Sequence, residues 1–180
     1  MNRIHIVGLA LMTVGTAACD GPTEAPLASG DLQGVEADLV MFGMTSFLSA
    51  AGVREGRVIA DTAYIFNDST TQKLRGLEVV FYDEEGRERA TVRAHDGEFD
   101  PSTDRMVARG DVVLTIHQDR RRIETAELHY DPARDRIWSD STTVQTLADG
   151  SVSRGTSFQS DLTFENVRIE NPRGAVGPVF

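Results

Sequence analysis

A chain of 180 residues with 28 acidic against 18 basic side chains and a formal net charge of −10 argues against nucleic acid and against broad adhesion to anionic lipid, since both repel an acidic surface. Its single cysteine excludes a disulfide within one chain, so stability must come from a packed core. The length beyond the N-terminal region suits one domain.

The first eighteen residues read as a secretory signal. Arg3 supplies the positive charge, Ile4 to Val14 are mostly apolar, and Gly15-Thr16-Ala17-Ala18 supply small residues before a cleavage point. The apolar run is shorter than the roughly 20 residues a transmembrane helix needs. Thr16-Ala17-Ala18-Cys19 resembles the bacterial lipobox, with threonine where leucine is commonest. That resemblance implies that Cys19 is a lipid anchor and the first mature residue. The alternative is a plain signal that ends beside a free thiol. By resemblance to the enterobacterial sorting rule, Asp20 implies retention at the inner membrane, with the outer membrane left open.

Residues 19–34 hold Gly21-Pro22, Pro26 and Ser29-Gly30 and read as a flexible tether behind the anchor. Over residues 35–52, Val35, Leu39 and Phe42 fall at i, i+4 and i+7 behind Glu36 and Asp38, a spacing that predicts a short amphipathic helix ended by Gly52.

From residue 53 to 172 the pattern changes to hairpins. Phe99-Asp100-Pro101-Ser102-Thr103-Asp104-Arg105-Met106 and Tyr130-Asp131-Pro132-Ala133-Arg134-Asp135-Arg136-Ile137 are a repeat offset by 31 residues, which in register also pairs Val113 with Val144 and Thr115 with Thr146. Proline presets φ for the second turn position and the preceding aspartate caps the turn. A repeat of this period marks stacked supersecondary units. Looser copies lie at Ala60–Asp68 and Gly155–Ile169, and residues 173–180 read as a tail.

Strict alternation sorts the strands into two faces. Leu77, Val79 and Phe81 share one face, opposite Ala90, Val92 and Ala94 across the Asp83-Glu84-Glu85-Gly86 turn. Phe99, Met106, Val112, Leu114, Ile123, Leu128, Tyr130 and Ile137 extend that face, with a kink expected at Gly110. Short connections favour antiparallel neighbours. The fold class is therefore all-β, an open antiparallel sandwich or twisted jelly roll whose interior is a filled core or an apolar trough.

Catalytic and metal chemistry find no foothold. His95, His117 and His129 match no zinc spacing, no nucleophile motif is present, and the Asp100/Asp104 and Asp131/Asp135 pairs fit turn chemistry better than calcium. No cofactor and no enzymatic activity are expected. Trp138, on the face opposite Ile137, is a candidate rim or contact aromatic.

Gly56-Arg57-Val58-Ile59-Ala60-Asp61-Thr62-Ala63-Tyr64, Gly97-Glu98-Phe99-Asp100 through Ala108-Arg109-Gly110-Asp111-Val112, and Ile123-Glu124-Thr125-Ala126-Glu127-Leu128-His129-Tyr130-Asp131 resemble the LptC family of lipopolysaccharide export over about residues 35–170. Well-known members carry a transmembrane helix where this chain carries Cys19. The resemblance implies a periplasmic β-jelly roll that accepts lipopolysaccharide from an inner-membrane LptB2FG-type ABC transporter and passes it to an LptA-type bridge protein by edge-strand addition. It also implies that Leu77, Val79, Phe81, Val92, Phe99, Met106, Val112, Leu114, Ile123, Leu128, Tyr130 and Ile137 line the lipid groove. The competing class is a structural or adhesive β-repeat lipoprotein of the envelope, in which the same residues simply fill a core.

Overall fold

The computed structural model describes residues 37–50 and 52–176. The signal segment, Cys19 and the tether lie outside the described residues. Twelve strands form one sheet: β1 (Leu39–Ala50), β2 (Val53–Ile65), β3 (Gln72–Tyr82), β4 (Glu88–Asp100), β5 (Arg105–Ile116), β6 (Arg121–Asp131), β7 (Arg136–Ser139), β8 (Thr143–Thr146), β9 (Val152–Gly155), β10 (Ser157–Ser160), β11 (Arg168–Glu170) and β12 (Arg173–Val176). Every ladder is antiparallel, and β1 to β7 follow one another in chain order before β10 and β11. The short loops allow nothing else, because a parallel neighbour needs a crossover of a dozen residues or more. β8 shares β6 with β7 and leads to β9 and β12.

The expected helix over residues 35–52 is not there: 39–50 are strand β1, paired with β2 from Leu39↔Ile65 to Ala50↔Val53. Leu39 and Phe42, placed by the helical spacing on a buried stripe, are 51% and 62% exposed, whereas Met44 and Leu48 point inward. Gly43, Thr45 and Ser46 are poor helix formers, and the long β2 edge offers the segment a complete ladder, so pairing overrides a three-residue periodicity. At the other end, Arg173–Val176 of the expected tail form β12 against β9.

The repeat is visible in the backbone. Asp104 and Asp135, 31 residues apart, close their turns in the same left-handed conformation, with φ of +54° and +48°. Asp100 caps the first turn by accepting from Ser102 N at 2.9 Å and Ser102 Oγ at 2.6 Å. Ala133 replaces Ser102 in the second copy, where a single 3-10 turn, Pro132–Arg134, forms instead. The long strand β5 of the first copy corresponds to β7 and β8 together, and the break between them falls where β5 itself is kinked.

That kink belongs to a seam that crosses the sheet. Successive buried residues run Ala60 to Ala63 in β2, Leu74 to Leu77 in β3, Ala94 to Gly97 in β4 and Thr125 to Leu128 in β6. An interval of three would swap faces in a regular strand. Here the odd residue is absorbed in a local distortion, and the apolar face stays inward on both sides. In β5 the interval is four, across Gly110 and Asp111 at φ of +80° and +47°, and the ladders to both neighbours shift register there. Gly76 in β3 sits on the same line at φ +62°, with Asp61 so close that a Cβ would lie 2.1 Å from its Oδ2. The seam bends the strands and folds the sheet over a single apolar cluster.

Candidate lipid-binding interior

All twelve candidate lining residues fall inside that cluster, none more than 6% exposed. Strand pairing arranges most of them as two ribs, one on each side of the seam. Val79, Val92, Leu114 and Ile123 stand directly opposite one another across β3 to β6. Phe99, Met106, Tyr130 and Ile137 do the same across β4 to β7. Leu77, Phe81, Val112 and Leu128 fill the space between and beyond the ribs. Four aligned side chains on one face make a continuous apolar strip perpendicular to the strands, since directly opposed Cβ atoms lie about 5 Å apart.

The interior also holds residues that the alternation analysis left out. Val58, Ala60 and Ala63 of β2, Leu74 of β3 and Phe158 of β10 are buried. Phe158 is the one apolar residue of Ser157-Phe158-Gln159-Ser160, too little for alternation to assign it a face. Phe164 is buried as well, and nothing in the sequence around it marks it, because it sits in a loop at φ +60°.

The sheet does not close. Among the described residues no ladder joins β1 to β11 or β12, so the interior is bounded on that side by strand edges and loops. A separate cleft of about 380 Å3 borders the apolar cluster where the start of β2 and the end of β3 approach the end of β6, lined by Val53, Phe81, Tyr130, Pro132 and Leu162 and rimmed by charged side chains, Arg54, Asp83 and Arg89 among them. Its volume is within the range of small-molecule sites, ~300–1,000 Å3. Burial, reinforced by the negative charge of Glu55, Asp104 and Asp131, pushes the Tyr130 phenol well above its usual value, so its hydroxyl stays protonated.

The outward face is polar and cross-linked. Arg109 bridges Glu98 at 3.1 Å and Glu127 at 2.6 Å, and Glu127 reaches His129 Nε2 at 2.6 Å. Trp138 lies on this face, stacked on His129 at 5.0 Å and 14°, with the Arg136 guanidinium 4.7 Å from its ring. It is half-buried by these neighbours rather than standing free at a rim. The hydrogen bond from Arg109 holds the Glu127 carboxyl below its ordinary value of 4.5, against a smaller opposing effect of burial. Among the described residues no cluster of three or more metal-ligating side chains occurs. His95 and His117 are exposed, the latter against Thr91 Oγ1 at 2.9 Å.

The family model described as "Lipopolysaccharide-assembly, LptC-related" matches residues 9–172. The chain belongs to the LptC-related family. As a member it is a transport component of lipopolysaccharide assembly and not an enzyme. The crystal structure of LptH from Pseudomonas aeruginosa, the LptA-homologous periplasmic component of the lipopolysaccharide transport device, superimposes on this LptC-related chain with a TM-score of 0.52. The two share 12% identity, and the match covers 68% of this chain and 95% of that one, so the likeness is one of fold. No curated protein matches the LptC-related chain.

Proposed function

We propose that this protein is the membrane-anchored periplasmic carrier that takes lipopolysaccharide from an inner-membrane ABC transporter of the LptB2FG type and hands it to an LptA-type bridge protein. The observation that carries the proposal is the pair of apolar ribs inside a sheet whose edges do not meet. Each methylene kept from water contributes about 0.8 kcal/mol, so a strip that runs across four strands offsets much of the cost of moving acyl chains through an aqueous compartment. An open sheet admits those chains without breaking a ladder. The acidic, hydrogen-bonded exterior stays soluble throughout.

Cys19 serves as the lipid anchor and residues 20–34 as the tether in this reading, with retention at the inner membrane set by Asp20. Docking uses strand edges. β1 ends the sheet and carries Leu39, Phe42 and Phe47, each about half exposed or more, which is an unusual load for an edge that stays unpaired.

A photo-crosslinking residue placed at Val79 or Leu114 of the full chain tests the carrier reading in cells that make lipopolysaccharide. Adducts at both positions, absent when the residue is moved to the outward Glu78, are expected. No lipid adduct at either position would leave only a closed core. Depletion of the protein should leave lipopolysaccharide at the inner membrane.

A further inference from the structure

Residues 161–166, in the loop between β10 and β11, contribute one ring to the core from a strained backbone. Phe164 has φ +60°, a region in which a bulky residue is a genuine outlier, yet its side chain is buried. The ring meets Phe81 edge-on at 5.7 Å, and Phe81 meets Tyr130 at 5.2 Å. Phe81 and Tyr130 also line the cleft with Val53 and Leu162, and since Tyr130 belongs to the second rib, this row of rings runs from Phe164 through the cleft wall to the ribs. Glycine would hold the same backbone without strain. Strain kept for the sake of a buried ring points to a role for the ring.

What holds the loop down is local and wet. Asp161 accepts hydrogen bonds from Thr163 Oγ1 at 3.0 Å, from Glu165 N at 3.2 Å and from Asn166 Nδ2. Leu162 N donates to Asp135 Oδ1 at 3.1 Å. These bonds are exposed, and water can replace each of them as the loop lifts. Lifting the loop gives up the burial of the Phe164 ring and the packing of Leu162 on the core and relieves the φ strain, whereas opening the wall anywhere along β2 to β6 breaks a ladder of eight or more paired residues.

We propose that the cleft lined by Val53, Phe81, Tyr130 and Leu162 is the portal through which an acyl chain enters the interior, and that Phe164 is its plug, exchanged for the incoming chain when the 161–166 loop swings out. The start of β2, the end of β3, the end of β6 and the loop that leads into β11 all contribute to the walls of the portal, so it opens between strand ends and no ladder crosses it. The ligand class is a saturated or monounsaturated hydrocarbon chain of a glycolipid, with its polar head left among the charged residues of the rim. This inference rests on the carrier reading above.

Stopped-flow uptake of cis-parinaric acid, whose fluorescence rises in apolar surroundings, tests the portal on the full chain, with purified lipopolysaccharide as competitor. Phe164→Gly removes the ring and suits the left-handed backbone. Asp161→Ala keeps the ring and frees the loop. Both should raise the association rate at least fivefold over wild type, with circular dichroism unchanged. Equal association rates in all three proteins, with competition intact, would overturn the portal and leave the carrier reading standing. Absence of competed uptake in every protein, wild type included, would overturn the carrier reading and the portal with it.

Discussion

The rings of Phe81 in β3 and Tyr130 in β6 lie 5.2 Å apart, tilted by 46°. In a flat sheet, strands three positions apart are separated by about 14 Å. Their contact measures how far the sheet folds over, and it joins the two sides of the apolar interior at the cleft. Phe81→Ala removes that contact and the packing on Phe164. It should lower unfolding stability by about 3–5 kcal/mol, read as a reduced urea midpoint with an unchanged slope. Tyr130→Phe, which keeps the ring, should cost much less.

The seam makes a backbone prediction. Gly76→Ala places a methyl group against Asp61 at φ +62° and should cost about 1–3 kcal/mol in thermal or urea unfolding. Asp61→Ala combined with Gly76→Ala should recover the steric part alone. The residue left after that double-variant cycle is the price of a side chain in the left-handed region.

Acid should weaken the outer network in a defined direction. Glu127 has a depressed folded pKa, chiefly through the hydrogen bond from Arg109, so its contribution to stability is complete above the ordinary value of 4.5 and is lost as pH falls through the lower folded value. As pH falls below 4.5 the wild type should lose stability more steeply than Glu127→Gln, by up to ~1 kcal/mol for so exposed a network. Trp138, the chain's only tryptophan and the stacking partner of His129, reports the change by fluorescence.

The edge strand predicts a separation of fold from docking. Phe42→Ser and Phe47→Ser remove exposed side chains that are 62% and 49% accessible, so stability should move by no more than about 0.5 kcal/mol. Co-purification with the inner-membrane transporter should fall sharply if β1 is the docking edge, and Leu147→Ser, an exposed site away from that edge, should leave it intact.

Much of the interior was legible because a strand's side chains alternate whatever the strand pairs with. Leu77, Val79 and Phe81 had to share a face, and the hairpin at Asp83 to Gly86 had to set them against Ala94, Val92 and Ala90, which is the register observed. The turn aspartates were legible for the same local reason. The seam left a glycine only in β3 and β5, at Gly76 and Gly110, of which the alternation marked a kink at Gly110 alone; in β2, β4 and β6 the residues within the interval are not glycines and leave no compositional trace. Leu39 to Ala50 misled because three apolar residues at helical spacing outweigh nothing once a long strand edge is available to pair with.

The amino-acid sequence by itself determined which face of each strand is apolar, where the turns fall, that the copies repeat at 31 residues, and that the surface is acidic; these follow from neighbours within a few residues of one another. Only the tertiary structure decided that residues 39–50 join the sheet, that the lining residues align into two ribs, that the described strands fold over without closing, and that Phe164 is buried against Phe81 on a left-handed backbone. Those depend on pairing and packing between residues far apart in the chain, and their free energy is shared among partners that no local pattern names.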